Sequence, residues 1–124
     1  MKKVLIMTAF ALLLVALTVT PGIYAATTFR IGGLAALQLS YGKSMTSGAK
    51  LAIDEINKAG GVNGVKFEID WQDSEGTATV GRTAAQKLIF GSKVDAILGC
   101  HGSTVVLAIE GLVKEAGILE VALG

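Results

Sequence analysis

The polar residues best placed to do chemistry lie where a short apolar run, Val94–Leu98, meets a helical one, in Gly99-Cys100-His101-Gly102-Ser103-Thr104. A serine at that junction has two uses. Its hydroxyl can cap the helix, or it can join the first free backbone N–H groups in holding a small anion such as a carboxylate. Residue type and spacing leave both uses open, and one turn can serve both. Gly99 and Gly102 remove side chains that would crowd an incoming ligand. Acyl-transfer catalysis does not fit, because GCHGS is not G-x-S-x-G and the single histidine, His101, has no recognisable nucleophile partner. His101 reads as a polar residue of the loop or of a ligand rim. Cys100 beside His101 is not a metal set, which needs several clustered ligands. Gly32-Gly33 is followed by LAAL, so neither the dinucleotide glycine fingerprint nor the phosphate loop with its lysine is present. Asp70 and Asp73 stand where a ribose-binding acid would, but without that fingerprint Asp73 and Ser74 read as turn residues and caps of the next helix. No cofactor, no metal and no catalytic residue are expected.

The elements around these residues alternate. Phe29–Leu34 (FRIGGL) reads as a strand. Gly42–Lys58 reads as a helix with Met45, Gly48, Ala49, Ala52, Ile53 and Ile56 on one buried face, ended by Gly60-Gly61. Val65–Gln72 alternates apolar and polar residues, as a strand with one exposed side does, which predicts a sheet edge. A helical period follows from Thr77 to Phe90 through Val80, Ala84, Ala85 and Leu88. Then come a third strand (VDAILG), a third helix over Thr104–Ala116 that is apolar on nearly all sides, and the start of a fourth strand at Ile118–Leu123. Strand-helix alternation with short connections predicts an α/β fold, a doubly wound parallel sheet between helices, and right-handed crossovers favour the order 2-1-3-4. Ligands of such sheets bind outside the carboxyl ends of the strands. That rule selects the loops Ala35–Tyr41, Gln72–Thr77 and Gly99–Thr104.

Bulk properties narrow the function further. The 124 residues are 52% hydrophobic and 17% charged, which allows one ordinary domain at most. Eleven basic and ten acidic residues leave a formal charge of +1 with no basic stripe, so nucleic acid is not an expected partner. Residues 1–25 follow the three-part pattern of an export signal: Lys2 and Lys3, an uncharged run from Val4, then Pro21, Gly22 and small residues, with cleavage after Ala25 or Ala26. The uncharged stretch Val4–Ala26 is also nearly long enough for a retained anchor, but Pro21-Gly22 breaks the helix that a membrane stop would continue. The mature part is thus expected in the periplasm or another extracytoplasmic space, without an internal disulfide because Cys100 stands alone. Gly124, which ends the sequence within an apolar strand, is expected to be a truncation point.

Three stretches carry a resemblance: Ser40–Gly76, Lys87–Val106 and Val113–Leu119, with the run G-A-x-L-A-x-x-E-I-N-x-A-G-G-x-N-G from Gly48 to Gly64 the most specific. Together they resemble the amino-terminal part of the extracytoplasmic solute-binding proteins of branched-chain amino acid ABC importers, the leucine/isoleucine/valine-binding type. The resemblance implies two hinged lobes of the type I periplasmic-binding-protein fold that close on a small amino acid or amide. Residues 26–124 would be part of the amino-terminal lobe, incomplete, with the second lobe absent. By similarity, Ser103 falls on the serine that binds the ligand's α-carboxylate, with Gly102 and Thr104 at the same helix start. Tyr41 falls on the aromatic that lies against the ligand, and Gly124 on a loop position whose backbone contacts the ligand's polar end. The implied partners are the amino acid or amide and a membrane permease, and the complete protein would be monomeric. Two departures stand out: the family's G-P-x-[ST]-G after the first strand is replaced by Gly33–Leu39, and a disulfide found in some members would need a cysteine at Gly102, from which Cys100 is offset. The alternatives are the ligand-binding domain of a sensory receptor of the same fold and, further off, an exported α/β enzyme.

Overall fold

A computed structural model of the chain describes residues 28–123. The expected export signal and Gly124 lie outside them. The described chain runs β1 (Thr28–Ala35), α1 (Ser40–Lys58), β2 (Lys66–Asp73), α2 (Ala78–Gln86), a π-helical turn (Lys87–Ser92), β3 (Ala96–Gly99), α3 (Ser103–Ala116) and β4 (Leu119–Ala122). All strand pairs are parallel and the order is β2-β1-β3-β4. Periodicity therefore read both the class and the topology, including β2 at the edge.

The core lies between one face of the sheet and α2 and α3. Leu34 and Ile97 rise from the sheet, Ala85 and Leu88 from α2 and its π turn, and Val105, Ile109, Leu112 and Val113 from α3. Each large side chain fully buried here contributes about 1.5–3 kcal/mol relative to exposure. Only that stripe of α3 is buried. Leu107 is 70% exposed, so a helix that is apolar on nearly all sides is covered on one of them only. A parallel strand layer covers one side of a helix and no more, whatever the composition of the remaining sides.

The other face carries α1, which packs against β1 and β2. Its expected buried face is realised in part: Met45, Ala49 and Ile53 are half-buried, whereas Gly48, Ala52 and Ile56 are exposed. Gly33 has no side chain where the Trp71 ring crosses β1; a Cβ there would lie 2.4 Å from the ring. The glycine pair of β1 thus makes room for neighbouring side chains.

The run Gly48–Gly64 is architectural. Asn57, near the end of α1, accepts from the Phe67 backbone N–H at 2.9 Å and donates from Nδ2 to the Phe67 carbonyl at 2.8 Å, clamping the helix to β2. Gly61 turns the chain at φ +81°, and a Cβ there would meet the Val65 carbonyl oxygen at 2.0 Å. This motif sits at the amino end of β2, away from the carboxyl ends of the strands.

Candidate functional site

The carboxyl ends of the strands gather the loops selected by topology. Asp73 Oδ1 accepts from the Glu75 N–H at 2.8 Å and from the Leu37 N–H at 3.2 Å, so the turn after β2 is tied to the loop after β1. Ser74, buried, donates its backbone N–H to the Ala35 carbonyl at 2.9 Å. The cap of α2 is Thr77, whose hydroxyl accepts from Val80 N–H at 3.4 Å. This corrects the expectation that Asp73 and Ser74 would cap it: they are turn residues, and the helix starts too far along for their side chains to reach its free N–H groups.

The turn from β3 into α3 is built on two unusual backbone positions. Gly99 has φ +129° and Cys100, a non-glycine, φ +64°. The Cys100 N–H donates to the Leu34 carbonyl at 2.8 Å, anchoring the turn on β1. Gly102 then takes the N-cap position with extended backbone, and Ser103 and Thr104 are the first two residues of α3, both exposed. No side chain caps this helix. Of the two uses open for the Ser103 hydroxyl, capping is therefore not the one realised, because Ser103 lies one residue inside the helix. The Gly102 carbonyl accepts from Val105 and Val106 N–H. As the first helical donors, the N–H groups of Ser103 and Thr104 have no intrahelical acceptor. The first turn carries no acidic residue, so the positive end of the helix dipole is uncompensated and favours an anion.

A cavity of about 340 Å³ opens in front of this turn, lined by Cys100, His101, Ser103, Val106, Leu107 and Ala122. Two cavities of comparable volume lie elsewhere, one beside Arg30, Glu68, Asp70 and Ser92 and one between α1 and β2. Volume alone does not single out a site; the uncapped helix start does. Tyr41, the second residue of α1 and 39% exposed, stacks on His101 with ring centroids 4.8 Å apart. His101 Nδ1 lies 3.2 Å from the Leu123 carbonyl oxygen. The structure thus brings Tyr41, Gly102, Ser103 and Thr104 to one edge of the sheet, and Gly124 is outside the described residues. His101, which the residue pattern left as a loop or rim residue, proves central to this edge. Its only sequence signal was its place two residues before Ser103.

Cys100 and Glu120 lie beneath the site. Burial, with the Glu120 carboxylate adding to it, pushes the Cys100 thiol up to about 12, so it stays protonated and unreactive. Iodoacetamide is expected to leave Cys100 unmodified in the folded chain and to alkylate it fully in denaturant; mass spectrometry reads both. Glu120 pairs in register with Ile97, so its side chain points to the core side of the sheet. Its Oε1 is buried with no hydrogen-bond partner among the described residues. Burial first, and repulsion from Glu110 second, raise its pKa above the usual 4.5. A carboxyl raised in the folded state costs stability wherever it must ionise. Stability should therefore be greatest below the ordinary glutamate value and decline as pH rises through the raised one. Glu120→Gln is expected to raise the unfolding midpoint at neutral pH and to leave it unchanged in acid; urea titrations at both pH values check this.

Comparison with known proteins bears on family and fold. Residues 26–123 match the family described as Periplasmic binding protein. The Leu/Ile/Val-binding protein BraC3 of Rhizobium johnstonii is 34% identical over 82 residues, 66% of this chain and 22% of that protein. The substrate-binding protein LivJ of the Streptococcus pneumoniae branched-chain amino acid transporter, solved in complex with isoleucine, superposes with a TM-score of 0.72 at 30% identity, over 77% of this chain and 28% of that one. An ABC-transporter solute-binding protein of Rhodopseudomonas palustris, solved with 3,4-dihydroxybenzoic acid, superposes with a TM-score of 0.68, also at 30% identity, over 77% of this chain and 26% of that one. The chain spans about a quarter of the length of the proteins it matches.

Proposed function

The chain belongs to the periplasmic binding protein family, and from that membership we propose that residues 26–124 form part of the amino-terminal lobe of an extracytoplasmic solute-binding protein. It captures a branched-chain or other small amino acid, or an amide, for delivery to the membrane permease of an ABC importer. Residues 1–25 serve as its export signal, cut after Ala25 or Ala26, and the complete protein works as a monomer without cofactor.

The observation that carries this reading is the uncapped start of α3. The Ser103 hydroxyl has no hydrogen-bond partner among the described residues, and it stands beside two free N–H groups at the mouth of a cavity. Three donors on one turn suit a carboxylate, with charge-assisted hydrogen bonds and the helix dipole acting together. Related proteins carry names for leucine, isoleucine and valine, or hold isoleucine. Tyr41 is then the aromatic against which the ligand lies, and Gly124 adds a backbone contact. We assign no catalytic step to the site, since it offers donors to a carboxylate and its one thiol is buried and protonated. A second reading, an aromatic carboxylate, draws on the relative that holds 3,4-dihydroxybenzoic acid and on the aromatic surface that Tyr41 and His101 present beside Ser103.

Calorimetric titration of the chain with leucine, isoleucine, valine, short amides and 3,4-dihydroxybenzoate tests the proposal. Saturable binding of at least one amino acid, lost when the carboxylate is masked as leucine methyl ester, is the expected result. Equal binding of leucine and its ester would refute the carboxylate role, and preferential binding of the aromatic acid would select the second reading.

A further inference from the structure

We infer that His101 is a positioning residue of this site, holding Tyr41 and the end of β4 in one rim beside Ser103; the inference rests on the carboxylate-binding reading above. The root of the loop is anchored, because Cys100 is buried and its N–H is bonded to the Leu34 carbonyl at 2.8 Å. From that fixed point His101 reaches in two directions. Its ring lies against Tyr41, centroids 4.8 Å apart and tilted by 41°, within the range where aromatic pairs attract. Its Nδ1 meets the Leu123 carbonyl at 3.2 Å. A carbonyl oxygen only accepts, so Nδ1 must carry the hydrogen in this contact.

Tyr41 also lies near the turn that follows β2. Its hydroxyl lies 3.7 Å from the point where a Cβ on Gly76 would stand, in the turn after β2. One tyrosine-imidazole pair therefore connects the start of α1 and the turn after β3 with the end of β4. The histidine is itself exposed, so the buried core does not depend on it. Its contribution is to the shape of the edge at which Ser103 opens. Nε2 has no partner among the described residues and in the neutral ring is an acceptor facing away from the Leu123 contact.

Two measurements on the full chain test this. Nitrogen-15 spectra should show His101 protonated at Nδ1, and His101→Ala should move the Tyr41 ring resonances and the Leu123 amide signal. In leucine titrations His101→Ala should weaken binding roughly tenfold, while His101→Phe, which keeps the ring, and His101→Asn, which keeps a donor, each restore part of it. The thermal midpoint should not change in any of the three. An Nε2-protonated ring, Tyr41 resonances indifferent to His101→Ala, or unchanged leucine affinity in that variant would each overturn the positioning role. If the unsubstituted chain binds no amino acid while the tautomer and the Tyr41 shifts are as expected, the carboxylate reading fails and the linkage of the rim stands.

Discussion

Gly99→Ala is expected to cost the chain about 3 kcal/mol or more, a large part of the stability of a domain this small. Two penalties combine. At φ +129° an L-residue is strained wherever it sits, and here a Cβ would also stand 2.2 Å from the Leu34 carbonyl oxygen. That oxygen cannot turn away, because it accepts from the Cys100 N–H at 2.8 Å and lies on a strand paired in register with Gly99. Relief therefore requires breaking the anchor of the β3–α3 turn, which also carries Ser103. Gly102→Ala is the control: it has open space and ordinary backbone, and its expected cost is under about 1 kcal/mol. Urea unfolding of the two variants checks the contrast, and equal midpoints would show that crowding against β1 does not hold the turn.

Ser103→Ala is expected to weaken binding of an amino acid by about 10- to 100-fold, the range for one hydrogen bond to a charged group, about 1.5–3 kcal/mol. Stability should stay within about 0.5 kcal/mol, since the hydroxyl caps nothing and lies on the surface. Ser103→Thr, which keeps the hydroxyl, should retain most of the affinity. The opposite pattern, lost stability with intact affinity, would return Ser103 to a capping role. Paired calorimetric and denaturant titrations separate the two.

The site was legible in the residues to different depths. Ser103 could be found because a strand-helix junction in a parallel sheet has a fixed chemical meaning: free N–H groups at the carboxyl edge. Whether its hydroxyl capped the helix was not legible. That depends on a shift of one residue between N-cap and first helical position, which the backbone of Gly99 and Cys100 decides. Asp73 and Ser74 failed as caps for the same reason, with Thr77 in their place. The most specific motif, Gly48–Gly64, pointed to the right family through the fold. Its Asn57 and Gly61 set the α1–β2 turn and touch nothing at the candidate site.

Alternating periods of two and 3.6, short connections and crossover handedness were enough to determine the α/β class and the β2-β1-β3-β4 order, because these are properties of local pattern and chain chirality. The tertiary structure alone decided which side of each helix was covered. It left Leu107 exposed and half of the α1 stripe in the open, because burial depends on which neighbours arrive. It also brought together Tyr41, His101 and Leu123, from the start of α1, the turn after β3 and the end of β4, whose contacts rest on a backbone turn at Gly99-Cys100 that no residue pattern encodes.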